Sequence, residues 1–87
     1  MVVMFSVFDS KASAFIQPFF TQSRGVAIRS FKAAAMDPAH DFHKFSGDFT
    51  LFELGSFDMN TGKFDMHSQP EMLALAATLI EGDEDAI

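Results

Sequence analysis

Hydrophobic and polar positions are most sharply ordered over residues 48–66, DFTLFELGSFDMNTGKFDM. A short apolar run, Phe49 to Phe52, is bounded by turn residues and made of strand formers, which predicts a well-buried β-strand. Asn60-Thr61-Gly62 predicts a four- or five-residue hairpin loop with a glycine bulge, because Gly62 takes positive φ at no steric cost. The second strand follows. Alternation places Phe52 and Leu54 on one face and leaves Phe57 out of phase. A bulge at Gly55-Ser56 would restore the phase; without it Phe49, Leu51 and Phe57 form a second apolar face that something else must cover.

The N-terminal pattern is also period two: Val3, Phe5 and Val7 alternate with Met4, Ser6 and Phe8, as in a half-buried strand. Asp9-Ser10-Lys11 supplies turn chemistry, and residues 14–20 return as a second strand that Pro18 confines to an edge or ends. The period then lengthens. Between residues 21 and 37, Ala27, Phe31 and Ala34 recur at helical spacing, flanked by Ile28 and Ala35. Thr21 or Ser23 can cap this helix, and Asp37-Pro38 ends it. Ser68-Gln69-Pro70-Glu71 reads as a capping box opening a second helix that runs to about Glu81. That helix is apolar nearly all round, which predicts burial on more than one side, with a second subunit as the expected cover. The order β-β-α-β-β-α predicts an α+β fold: an antiparallel sheet of two hairpins with two helices on one face.

Eighty-seven residues form a single small domain, expected over residues 1–81, and small domains bury a modest share of their surface. Twelve Phe with no Trp and no Tyr is a large load of purely apolar rings to hide in so short a chain. The absence of cysteine excludes disulfides and thiolate metal sites. Net charge is −6, which disfavours non-specific attraction to phosphates, but four of the twelve acids lie in the last seven residues. Residues 82–87 are therefore expected to be an acidic, disordered tail on a nearly neutral body. The first eight residues lack a basic start and meet Asp9, so they read as a strand, with no signal peptide and no membrane span.

Candidate chemistry is sparse. Arg29 and Lys32 share the outward face of the first helix with Arg24 near its start, which is either a solvated face or a phosphate-contacting stripe. In the connector 38–47, Phe42 and Phe45 are either loop anchors or base-stacking rings, and Lys44 lies between them. His40 and His43 sit beside Asp37 and Asp41, but a closed zinc site needs four ligands and no further His or Cys is near, so no metal is expected. The hairpin loop fails as a calcium loop, since Lys63 and Gln69 stand where glycine and glutamate are required. Asp65 and His67 share a face and read as surface decoration. No phosphate loop, nucleophile elbow or HExxH motif is present, so neither an enzyme nor a cofactor is expected.

The segments FSVFDSKASAFIQPFF, SRGVAIRSF and DFTLFELGSFDMNTGKF, followed by a proline and an apolar helix, resemble the small nonstructural protein of gokushovirus-type microviruses, tailless bacteriophages with single-stranded circular DNA. The resemblance covers roughly residues 4–80, most specifically PFF at 18–20, RGVAIRSF at 24–31 and LFELGSFDMNTG at 51–62. The family is described as a counterpart of microvirus protein C. The resemblance implies an accessory protein of the host bacterial cytoplasm that binds single-stranded DNA and favours genome synthesis and packaging over duplex replication. On that reading Arg24, Arg29 and Lys32, with Lys11 and Lys44 in loops, hold phosphates, Phe42 and Phe45 stack on bases, and a homodimer or higher oligomer doubles the patch. The alternative is an acidic module that contacts phage replication or procapsid proteins without touching DNA.

Overall fold

The computed structural model describes residues 1–82. The elements are β1 (Val2–Asp9), β2 (Ala14–Phe15), β3 (Phe19–Thr21), α1 (Arg24–Met36), α2 (Asp41–Lys44), β4 (Phe49–Asp58), β5 (Lys63–Leu75) and α3 (Ala76–Gly82). They build the expected α+β fold, an antiparallel sheet in the order β2-β1-β4-β5 with β3 also on β1. Residues 83–87, which carry most of the acidic tail, lie outside the described residues.

β1 is an interior strand, so residues of both its faces are buried, from Met4 to Val7. The turn after it is set by Asp9, whose carboxylate accepts the backbone N–H groups of Lys11 and Ala12 at 3.0 and 3.4 Å. The returning strand is broken at Pro18. β2 pairs with Phe8 and Asp9, β3 pairs with Val3 to Phe5, and the ladder lapses between them. There the buried Ser6 hydroxyl donates to the Ile16 carbonyl at 2.6 Å, which ties the broken segment to β1.

Ser23 caps α1 by accepting the Val26 N–H, and Ala27, Phe31 and Ala35 turn inward. They meet Phe5, Val7, Phe49 and Leu51 of the sheet and Ala76 of α3 in one core on one face of the sheet. The connector contains α2, which His40 caps through Nδ1, accepting the Phe42 N–H at 3.0 Å. His43 Nδ1 donates to the Ala35 carbonyl at 2.9 Å, so both connector histidines serve backbone groups.

Two expectations need correction. The bulge in β4 falls at Leu54, one residue earlier than Gly55-Ser56, where Phe5 pairs with Glu53 and Met4 with Gly55. It still brings Phe52 and Phe57 to one face, since cross-strand partners share a side. The larger correction concerns Ser68-Gln69-Pro70-Glu71, which opens no helix. β5 runs on to Leu75, with Met72, Ala74 and Leu75 paired to Phe52, Leu51 and Thr50, and the helix begins only at Ala76. Residues 67–70 form an excursion between the paired Met66 and Glu71, where the missing N–H of Pro70 costs no ladder bond. The long-range partner offered by β4 outweighs the local capping signal.

Candidate nucleic-acid interface

Among the described residues, the three helices lie on the core side and the opposite face of the sheet carries none. The pairings Phe8 with Phe15, Ser6 with Phe52, Met4 with Phe20 and with Gly55, Val2 with Phe57, and Phe57 with Phe64 place all these residues on that open face. Their rings gather in two clusters. Phe8, Phe15 and Phe52 form edge-to-face contacts with centroids 5.0 to 6.4 Å apart. At the other end Phe57 lies 6.3 Å from Phe20 and 4.8 Å from Phe64. Phe15, Phe20 and Phe64 are 43%, 45% and 57% exposed, far more than core packing needs. Val2, Phe20, Phe57, Met59 and Phe64 line an open apolar hollow of about 390 Å³. Lys11 and Lys63 lie at opposite ends of the sheet but on its helical side, Lys11 beside Asp41 and Phe45 and Lys63 opposite Asp58.

The core side carries a polar cluster that sequence reading missed. Glu53 continues the buried phase of Phe49 and Leu51 and is 8% exposed. Arg24 Nε donates to its Oε1 at 2.9 Å, His67 Nε2 lies 2.7 Å from its Oε2, and Arg24 Nη2 reaches Glu71 at 3.0 Å. Glu53, His67 and Glu71 offer ligand atoms within 4.8 Å of one another, a spacing that suits a metal ion. The cation between the two carboxylates is the Arg24 guanidinium, and the group is better described as a clamp joining α1 to β4 and β5. An acid in the core phase of an otherwise apolar strand was the available signal.

The Arg24 hydrogen bond is the largest influence on Glu53 and lowers its pKa; burial opposes it, and the His67 hydrogen bond lowers it further. The same partner raises the pKa of Arg24. A carboxyl group more acidic folded than unfolded stabilises the fold above its unfolded pKa, and that stability is lost as pH falls through the folded value. Wild-type urea midpoints are therefore expected to decline on acidification below about pH 4.5, and Glu53→Gln to flatten that decline. Identical pH profiles would show that the clamp contributes nothing to stability.

The other residues singled out in the sequence are dispersed. Arg24, Arg29 and Lys32 all lie on α1, on the helical side, away from the open face; Arg29 is exposed and Lys32 half-buried. Phe42 is an anchor, with its ring 5.2 Å from Phe31 and 4.7 Å from Phe49. Phe45 is exposed and shares a shallow pocket with Lys11, Asp9, Asp41 and Asp48, and Lys44 is exposed at the end of α2.

These features define a small α+β protein with one helical layer and one open, phenylalanine-rich sheet face. The chain belongs to the phage ORF5 protein family, whose model matches residues 2–79. No curated protein and no solved structure matches it.

Proposed function

We propose that this phage protein is a non-enzymatic accessory factor that binds single-stranded DNA on the open face of its sheet. The observation that carries the reading is the pair of phenylalanine clusters, Phe8–Phe15–Phe52 and Phe20–Phe57–Phe64, left without a helical cover. Exposed rings on a sheet stack on unpaired bases whatever their identity, because every base has a π-face. A duplex hides those faces, so such a surface selects single strands. A factor of this kind, in the host cytoplasm, fits the gokushovirus-type role of favouring single-stranded genome synthesis and packaging over duplex replication.

The test is anisotropy of labelled single- and double-stranded oligonucleotides over a salt series. Single strands should bind with a shallow log–log salt slope, no steeper than about −0.7 per subunit, the value for one phosphate contact, and duplexes should bind far more weakly. Equal affinity for duplex, or no single-strand binding at low salt, would end the proposal. The second outcome would favour another reading, a docking face for phage replication or procapsid proteins. Two observations support that alternative: the net charge of −6 and the lack of charged residues at the paired positions of this face.

A further inference from the structure

We infer that the outer edge of β5 pairs antiparallel with the same edge of a second copy of this chain, about a two-fold axis at Phe64. β5 ends the sheet, and its first ten residues are all exposed, so a row of backbone groups is open to another strand. The excursion at residues 67–70 limits the usable edge to residues 63–66. Within that segment the side-chain pattern selects one register. An antiparallel pair related by a two-fold axis perpendicular to the sheet must centre on a residue, because directly opposed residues share a face. Phe64 lies opposite Phe57 on the open face, while Lys63 and Asp65 lie opposite Asp58 and Ser56 on the other.

Centring on Phe64 sets the two Phe64 rings side by side and opposes Lys63 to Asp65 of the partner subunit twice over. Centring on Lys63 or on Asp65 opposes like charges, which is destabilising. Centring on Met66 opposes Phe64 to a residue of the excursion and makes no Lys–Asp pair. Only the first register is complementary in both charge and ring contact. The edge is short, which places the association among small, weak interfaces below about 1,200 Å². In the pair, the two Phe20–Phe57–Phe64 clusters meet at the seam and the two open faces become one. That last consequence rests on the proposed single-strand binding; the pairing itself does not.

Sedimentation equilibrium of the full chain without DNA, from micromolar to near-millimolar concentration, tests the pairing separately from the function. The wild type should pass from monomer to dimer. Lys63→Asp and Asp65→Lys, each turning two attractive cross-strand pairs repulsive, should weaken the dimer about tenfold. The double variant K63D/D65K should restore it, with circular dichroism confirming the fold of all three. A wild type that stays monomeric at the highest concentration would overturn the inference. So would single reversals that leave dimerisation unchanged, or a double variant that fails to restore it.

Discussion

Replacing Phe15, Phe20 and Phe64 by alanine in one chain is expected to weaken single-strand binding at least about a hundredfold. Stacking of a base on an aromatic side chain contributes about 1–3 kcal/mol, so three rings at the lower bound already supply about 3 kcal/mol. All three side chains are substantially exposed and none belongs to the buried core, so thermal stability should change little. Anisotropy with a labelled single strand gives the affinity, and circular dichroism shows whether the fold is kept. Undiminished affinity in the folded variant would move the DNA site off this face, toward α1 and its Arg29 and Lys32. Neutralising those two residues in the otherwise wild-type protein is the control, and it should leave most of the affinity in place.

Gly55→Ala is expected to destabilise the protein by about 3 kcal/mol, because a Cβ at this position meets neighbouring backbone with no room to yield. The added carbon would stand 2.4 Å from the Asp65 carbonyl oxygen and 2.8 Å from Met66 Cα. Relief would require β5 to move off β4 next to the Leu54 bulge, where the ladder is already irregular. In a domain of this size the loss corresponds to a fall in Tm of about 15 °C. Gly62→Ala serves as the comparison. Gly62 has φ +74° but open space around it, so only the conformational cost applies, on the order of 1 kcal/mol. A thermal melt of Gly55→Ala within about 4 °C of wild type would show that β5 can retreat from β4 at little cost.

Much of this fold is legible in the chain because its decisive signals are local. The alternation of Val3, Phe5 and Val7, the cap at Ser23, the stop at Asp37-Pro38 and the Asn60-Thr61-Gly62 turn each act within a few residues, and each appears where the pattern puts it. The error at Ser68 has the opposite origin. Ser-x-x-Glu is a sound capping signal, but β4 supplies backbone partners to residues 71–75 that no local pattern reveals. The candidate site was less legible. Twelve Phe were visible as an excess, yet which rings face the core depends on the Leu54 bulge and on the break at Pro18, both set by pairing between distant strands. Phe42 and Phe45 stand out in the sequence as connector residues, whereas three of the four exposed rings, Phe15, Phe20 and Phe64, lie in the strands β2, β3 and β5.

The break at Pro18 gives the two margins of the sheet unequal capacity for growth. Along β2 and β3 the ladder lapses and proline offers no donor, so another strand finds no continuous template there. Among the described residues, only the β5 margin is open to extension. A sheet extensible on one side alone closes after a single addition, whereas one extensible on both sides would polymerise into fibres. The proposed strand pairing would therefore stop at two chains, even with so much phenylalanine facing outward.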